Sequence, residues 1–330
     1  MQLVLDIATS LEFWRRLYPA NRQPIPTYVA PPSDCAFNKR DVIRLAPDWA
    51  TRELAPEAGE KLHAMCFDRS QRRISNSHVV HAWTGPVPEG SFYQFDPHVF
   101  IASPEFIFLA AAGMLDFRAL VALGNELCGL YGFDKMQQRG FRMRAEPVSF
   151  SERLNEYLRQ AQGCHGVRAA KSALHYIVDR SASPMETLVE MLMCLPYRLG
   201  GYGLWKPSMN HEVPLDGLAA RIAKRSSCYA DVCWPSARLD VEYHGEYDHS
   251  GSDAQLSDRA RVIGLREAGF EVIELTREQV SDPQAFEGIV SMIAKVIGKP
   301  IRKEKLGMTR ERIELRRTLA AWNRSSGRVR

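Results

Sequence analysis

The chain has 330 residues, of which 45% are hydrophobic and 25% are charged, and this is a globular composition with room for two ordinary domains. It holds no apolar run near the roughly 20 residues that cross a bilayer, and its first residues lack the basic region and cleavage site of a signal peptide. These features exclude a membrane-spanning chain, and we expect a cytoplasmic protein without a membrane partner.

Seven cysteines are scattered along the chain without a Cys-x-x-Cys pair. An odd and dispersed set is typical neither of a disulfide framework nor of a cysteine zinc site. We therefore expect reduced thiols in the core.

Positive charge is concentrated near the C-terminus. The formal net charge is +4, but residues 299–330 contain 11 Lys or Arg against 3 Glu, which leaves −4 on residues 1–298. Such a segment suits a polyanion, because each neutralised phosphate releases condensed counterions. The alternative is a solvated terminal helix with no partner. We treat residues 299–330 as a basic helical tail, with a helix at residues 309–322.

Residues 1–150 are predicted to form a smaller α+β domain. Five prolines within residues 19–32 indicate an extended connector. Ser103 fits the N-cap of a later helix, and leucines at helical spacing predict a second helix from Asp116 to Tyr131, with Gly132 as its stop. Before these helices, alternating patterns predict short strands at residues 61–67, 78–83 and 98–102.

Residues 151–298 are predicted to form a mixed α/β sheet flanked by helices. From Ser183 onward the order is α-β-β-β-α-β-α. The strands are expected at residues 209–215, 227–234, 239–245 and 270–275. The helices are expected at Ser151–Gln162, Ala169–Asp179, Ser183–Leu195, Leu256–Ala268 and Pro283–Ile297.

A predicted hairpin within these strands brings two acidic residues together. If its turn is centred between Ser236 and Ala237, Asp231 lies opposite Glu242. Opposed residues of an antiparallel pair share a face, with Cβ atoms about 4.5–5.5 Å apart. His244, two residues beyond Glu242, shares that face.

Two carboxylates in this arrangement repel each other unless a proton or a cation lies between them. A hard divalent ion such as Mg²⁺ accepts carboxylate oxygens, a backbone carbonyl and waters. The alternative is an exposed hairpin whose two acids are solvated and paired to Arg238 or Lys224.

Four features follow one another around this hairpin: Asp231, Glu242-Tyr243-His244-Gly245, Asp258 with Arg261, and Gly269-Phe270-Glu271-Val272. In these features the stretch from about Ser183 to Val280 resembles the very-short-patch-repair-like branch of the PD-(D/E)xK endonuclease superfamily, and the features stand in the order expected for that branch.

The resemblance implies a restriction-endonuclease-like fold and metal-assisted hydrolysis of phosphodiester bonds. The metal, Mg²⁺ or Mn²⁺, would be held by Asp231, Glu242 and the main-chain carbonyl of Tyr243. His244 stands where the superfamily usually has lysine, and it is expected to orient or deprotonate the attacking water. Glu186 corresponds to a helix glutamate that points at the metal. Its alternative role is a capping box with Ser183, and Glu190, one turn later, is a weaker substitute.

Basic residues near this site are candidates for nucleic-acid contacts. Arg259 and Arg261 follow on the next predicted helix, where they either meet backbone phosphates or cover an exposed face. In the tail we assign the same role to Arg302, Lys303 and Lys305.

Residues 61–131 contain a Leu-His strand, a basic turn at Arg69–Arg73, a His-Val-Val-His strand and Ser-Pro-Glu-Phe before two helices. In these features this stretch resembles the domain of type IV abortive-infection antitoxins. This resemblance implies a regulatory or targeting domain with a toxin or defence-system partner. His78 and His81 would project to opposite faces of one strand, so we expect no metal role for them.

Together these features predict a cytoplasmic DNA endonuclease that serves phage defence or DNA repair. The alternative is a non-catalytic DNA-binding regulator of a type IV toxin-antitoxin-like system, and an RNA-processing nuclease would use the same residues. The sequence contains no P-loop, Rossmann fingerprint or nucleophile elbow, so we expect no nucleotide cofactor.

Overall fold

The computed structural model describes residues 1–16, 25–26, 34–36, 38–45, 61–76, 78–244, 252–301, 305–325, 327 and 329, with the backbone alone at residues 25–26, 39, 42–43, 96 and 252–258. The connector predicted at residues 19–32 lies outside the described residues except for Ile25–Pro26. The chain forms two compact units, of which unit 1 comprises residues 1–127, 132–177 and 325–330, and unit 2 comprises residues 128–131 and 178–324.

Unit 1 contains a seven-stranded mixed sheet. Its strand order is β2-β6-β7-β1-β3-β5-β4, and the β1–β7 and β3–β5 pairs are parallel whereas the other pairs are antiparallel. The strands are β1 (Leu3–Leu5), β2 (Ile25–Pro26), β3 (Leu62–Cys66), β4 (Arg73–Ile74), β5 (His78–Ala82), β6 (Phe92–Asp96) and β7 (Val99–Ala102). The three strands predicted in this region correspond to β3, β5 and β7.

The described residues of unit 1 also form six α-helices: α1 (Ile7–Arg16), α2 (Lys39–Leu45), α3 (Pro104–Ala111), α4 (Phe117–Leu127), α5 (Ser151–Gln160) and α6 (Val167–Leu174). Ser103 caps α3 as predicted, because its hydroxyl accepts a hydrogen bond from the Phe106 amide. Every residue of α3 is buried. This burial explains its nearly uniform apolar sequence.

The helix predicted from Asp116 to Tyr131 ends earlier, at Leu127. The Leu127 carbonyl accepts from the Ser149 amide, and Tyr131–Phe133 form a strand, β8, that pairs with β9 (Phe141–Met143). Gly132 is therefore part of a strand and not the stop of a helix. Apolar residues at helical spacing continued past the true end of the helix and concealed it.

Unit 2 contains a four-stranded sheet of order β10-β11-β12-β13, in which the first two pairs are antiparallel and the β12–β13 pair is parallel. The strands are β10 (Ser208–Pro214), β11 (Ser227–Trp234), β12 (Leu239–His244) and β13 (Glu271–Thr276). The helices are α7 (Pro184–Cys194), α8 (Gly217–Ala223), α9 (Ser252–Glu267), α10 (Arg277–Ser281), α11 (Pro283–Val296) and α12 (Arg310–Arg324). The predicted mixed α/β fold is confirmed, with α8 as an additional helix between β10 and β11.

Helix α9 crosses over between the parallel strands β12 and β13 and packs on the sheet. Its apolar residues Val262 and Leu265 join a buried cluster with Val213 of β10, Cys228 of β11 and Val272 of β13. This packing fixes the position of the helix beside β11 and β12, where the candidate site lies.

The compact units differ from the predicted domains. Helices α5 and α6 belong to unit 1, so the long stretch of unit 2 begins at Val178 and not at residue 151, and unit 1 is the larger of the two. Residues 299–330 do not form one separate tail. Arg312 of α12 is 1% exposed and lies 3.7 Å above the Tyr202 ring, within unit 2, whereas residues 325–330 belong to unit 1.

All seven cysteines are free, and all except Cys194 are buried. None of the helices in the described part of the chain is long and apolar enough to cross a membrane.

Candidate functional site

The predicted hairpin is formed by β11 and β12. Val232 pairs with Val241, Cys233 with Asp240 and Trp234 with Leu239, and this is the register that the sequence predicts. One step further, this register places Asp231 opposite Glu242.

A three-residue 3₁₀ turn at Pro235–Ala237 closes the hairpin. Arg238 follows it in the left-handed region, at a φ of 48°, and its amide donates to the Pro235 carbonyl. The tight turn leaves little freedom of register, and the buried valines opposite each other hold it in place.

The side chains of Asp231 and Glu242 converge on a single guanidinium. Arg261 Nη1, from α9, lies 2.6 Å from Glu242 Oε1 and 3.7 Å from Asp231 Oδ1. The same nitrogen donates to the Tyr229 carbonyl at 3.0 Å. The two acids therefore lie on one face of the hairpin, in ion-pair contact with an arginine that was not among the partners considered from the sequence.

Asp240 adds a third carboxylate that the sequence analysis did not single out. It is 0% exposed and Glu242 is 1% exposed. Both oxygens of Asp240, and Oε2 of Glu242, are buried without a hydrogen-bond partner among the described residues. The signal was present in the sequence, because a residue two positions before Glu242 on a strand shares its face.

Glu186 lies at the start of α7 but does not complete the predicted capping box, because its carboxylate bonds the Ala182 amide and not the amide of the N-cap residue Ser183. At the start of α7 its amide donates to the Ser183 hydroxyl at 3.1 Å, and its Oε2 accepts from the Ala182 amide at 2.7 Å. The negative charge of Asp231 is close enough to contribute to raising its pKa. Glu190 is also buried, but it contacts the Cys194 thiol.

Burial is the first cause that raises the pKa of all four carboxyl groups, and neighbouring carboxylates contribute at Glu186, Asp231, Asp240 and Glu242. The pKa rises to about 8 for Glu186 and Asp231, to about 7 for Asp240 and to about 9 for Glu242. The Arg261 guanidinium opposes this rise at each group, but it carries a single positive charge. Four acidic groups are therefore influenced by one arginine, which contacts two of them, and full ionisation leaves an excess of negative charge.

His244 lies at the end of β12 with its ring toward β13. Its Nε2 is 3.2 Å from Glu274 Oε2, and Glu274 pairs with Glu242 in the parallel ladder. Tyr243 donates its amide to Asp231 Oδ2 at 3.3 Å. These contacts tie Asp231 to the backbone of β12 and place the imidazole beside an acidic side chain.

The basic residues predicted to contact nucleic acid differ in their exposure and in their contacts. Arg261 is engaged within the protein, because buried carboxylates lie within reach of its guanidinium, whereas Arg259 is exposed. Lys305 is exposed, and its ammonium lies 5.8 Å from the centroid of the Tyr197 ring. Arg302 and Lys303 lie outside the described residues, as do Gly245 and the side chain of Asp258.

A cleft of about 520 Å³ opens beside β10 and β11 within unit 2. Its lining includes the basic side chains of Arg180 and Lys206, the acidic side chains of Asp179 and Glu212, and His211 and Tyr229. Tyr229 is two residues from Asp231 and bonds Arg261 through its carbonyl, so the cleft borders the acidic cluster.

Burial of the acidic cluster predicts that metal-free protein loses stability as pH rises. Glu242 has a folded pKa of about 9 against an ordinary value of 4.5, so between these limits the unfolded chain releases a proton that the folded chain retains. Unfolding is then favoured increasingly with pH. We expect the urea midpoint in a chelator to fall from pH 5 to pH 8. Glu242→Gln should show a smaller fall, and equal falls in the two proteins would contradict the prediction.

No protein-family model matches the chain. It is similar to two proteins from two strains of Mycobacterium tuberculosis, named uncharacterized protein MT2308 and uncharacterized protein Rv2248. Each is 26% identical over 121 residues, which span 37% of this chain and 40% of the relative's length. No solved structure matches the chain.

Proposed function

We propose that unit 2 is a metal-dependent DNA endonuclease of the PD-(D/E)xK type, with the restriction-endonuclease-like fold that this implies. One observation carries the proposal: the buried carboxyl groups of Glu186, Asp240 and Glu242 and the partly exposed Asp231 influence one another's pKa, and a single guanidinium contacts two of the four. Like charges at this density require protons or a cation. A divalent ion at neutral pH is the simpler means of compensation, and it is the means that has a catalytic use.

The residues present fit Mg²⁺ or Mn²⁺. Both ions prefer oxygen ligands, and the cluster offers carboxylate oxygens, three of which lack a hydrogen-bond partner within the described ranges. Asp231 and Glu242 would hold the ion, with the Tyr243 carbonyl as a further ligand. When bound, such an ion acidifies a water and stabilises charge on the phosphate.

The remaining roles fall to side chains around the cluster. His244 accepts a proton from the attacking water, and Glu274, 3.2 Å from its Nε2, orients the ring. Glu186, fixed by the Ala182 amide at the start of α7, adds negative charge on the other side of Asp231. Arg259 and the basic residues of the adjacent cleft contact the DNA backbone.

In this proposal the protein acts in the cytoplasm, in phage defence or DNA repair. Unit 1 serves as its regulatory or targeting part, with a toxin or another defence component as partner. The support for these roles is the sequence resemblance of residues 61–131.

The direct test is cleavage of DNA by the purified chain. We expect supercoiled plasmid to be nicked or linearised with Mg²⁺ or Mn²⁺ and to stay intact in a chelator. RNA of the same sequence, offered in parallel, distinguishes a deoxyribonuclease from an RNA-processing enzyme. Intact plasmid and intact RNA at every metal concentration would refute a nuclease.

One observation favours a second candidate function, a DNA-binding regulator without catalysis. Arg261 lies between Asp231 and Glu242, where it already neutralises part of the charge that a metal would neutralise. Titration of Mn²⁺ by calorimetry separates the candidates. A regulator would bind DNA with a strong dependence on salt but would show no Mn²⁺ site that depends on Asp231.

A further inference from the structure

Three potential metal ligands meet on neighbouring strands of the unit 1 sheet. Asp6 directly follows β1, His63 lies on β3 and His81 lies on β5, and these strands are adjacent in the sheet. Asp6 Oδ2 is 3.8 Å from His63 Nδ1 and 3.5 Å from His81 Nε2, and the two ring nitrogens are 2.9 Å apart. One carboxylate oxygen and two imidazole nitrogens therefore form a compact triangle.

The size of this triangle matches a transition-metal site. A circle through three points at these separations has a radius of about 2.0 Å, so one point lies at that distance from all three atoms. Zinc binds imidazole nitrogen at about 2.0–2.1 Å and carboxylate oxygen at about 2.0–2.2 Å. An ion near this point reaches all three ligands without movement of the backbone.

The carboxylate is fixed by its neighbours. Asp6 Oδ1 accepts from the Thr9 amide at 3.0 Å and so caps helix α1, while Oδ2 faces the histidines. Thr9 Oγ1 in turn accepts from the His63 amide at 3.2 Å. The start of α1 and the strand that carries His63 are thus held together around the site.

Access and charge also suit a bound cation. The Asp6 side chain is 7% exposed, whereas His63 and His81 are 36% and 45% exposed, which leaves an open side for solvent. No lysine or arginine in the described ranges lies within ion-pair distance of the Asp6 carboxylate. A buried carboxylate whose neighbours are two imidazoles is a donor set for a cation.

Without a metal, one ring must donate its N–H to the other. The ring planes lie within 15° of each other and the ring centroids are 5.2 Å apart. This separation equals the 2.9 Å distance between the two ring nitrogens plus one ring radius on each side. The rings therefore meet edge to edge. Rotation of the two side chains is enough to turn both nitrogens toward a common ion.

We propose that Asp6, His63 and His81 form a binding site for a divalent transition metal of the zinc class, with solvent at the remaining position. The ion ties the β1–α1 junction to β3 and β5 and so stabilises unit 1. The site is independent of the proposed nuclease centre, whose ligands are all oxygens. It also revises the expectation for His81. The sequence predicts no metal role for either His78 or His81. His78 indeed bonds Ser75 Oγ, at 2.8 Å, but His81 meets Asp6 and His63, which lie on or next to other strands.

The test is a calorimetric zinc titration of the full chain in millimolar Mg²⁺, which occupies all-oxygen sites but competes poorly for imidazole. We expect one zinc equivalent that disappears in His63→Gln and in His81→Gln. Asp6→Asn should weaken binding by at least about tenfold, because asparagine retains the helix cap but loses the charged ligand. His175→Gln, which alters an exposed histidine elsewhere in unit 1, should bind as the native chain does.

Thermal unfolding provides a second measurement. Zinc should raise the midpoint of the native chain and of His175→Gln but not that of His81→Gln. Co²⁺ in place of zinc should give the visible absorption of a low-symmetry site with nitrogen ligands. The proposal is overturned if the native chain takes up no zinc, or if both histidine variants retain the equivalent. Neither result bears on DNA cleavage, which tests the other site.

Discussion

Glu242→Gln is expected to abolish metal-dependent DNA cleavage, with a loss of more than about 100-fold. The side chain lies at the centre of the acidic cluster, in contact with Arg261 and beside Asp231 and Asp240. Glutamine preserves its shape and its contact with the guanidinium, but it removes the charge that a divalent ion requires. Glu242→Ala should be equally inactive. The measurement is the initial rate of plasmid nicking with Mn²⁺ at neutral pH.

The loss should not come from unfolding. Burial raises the pKa of Glu242 to about 9, so the metal-free native chain must take up a proton at this group when it folds at neutral pH. A neutral amide needs no proton, so the variant should unfold at an equal or higher urea concentration than the metal-free native chain. Glu271→Gln is the matched control, because Glu271 is an exposed glutamate on neighbouring β13. If Glu242→Gln nicked plasmid at the native rate, the acidic cluster would not be part of the catalytic mechanism.

The hairpin was predictable because its determinants are local. A short turn and two strands of alternating residues allow few registers, and a slip of one residue would turn Val232 and Val241 out of the core. The pairing of Asp231 with Glu242 follows from this register alone. The sequence predicts phosphate contacts for Arg261 and not its contact with the carboxylates, because that contact depends on how α9 packs across the sheet.

Features that depend on distant parts of the chain were not predictable in the same way. Asp6 is far in sequence from His63 and His81, and only the strand order of the sheet brings the three together. The division at Val178 is another example, because residues 128–131 belong to unit 2 although the segments on both sides belong to unit 1. Local patterns carry no information about such long-range assignments.

A buried ion pair in unit 1 supports the second large prediction. Arg15 Nε and Nη2 each donate to one oxygen of Glu126 at 2.7 Å, and both side chains are essentially unexposed. Glu126 Oε1 also accepts from the Phe133 amide at 3.2 Å, and Arg15 Nη2 donates to the Gly327 carbonyl at 2.8 Å. The pair thus connects helices α1 and α4 with two more distant segments of unit 1.

Glu126→Ala should lower the free energy of unfolding by about 3 kcal/mol, because it leaves the buried guanidinium with only the partly exposed Glu12, 3.0 Å from Nη1, as a counter-charge. Arg15→Met combined with Glu126→Leu should lose much less, since no charge is then buried. Glu314→Gln is the control: its partner Arg310 is 86% exposed, and an exposed helix pair contributes only about 0.3–0.5 kcal/mol. Urea unfolding of the four proteins measures these differences. If Glu126→Ala were no more destabilising than the double variant, the ion pair would contribute little, and the stability of this region would come from its apolar packing.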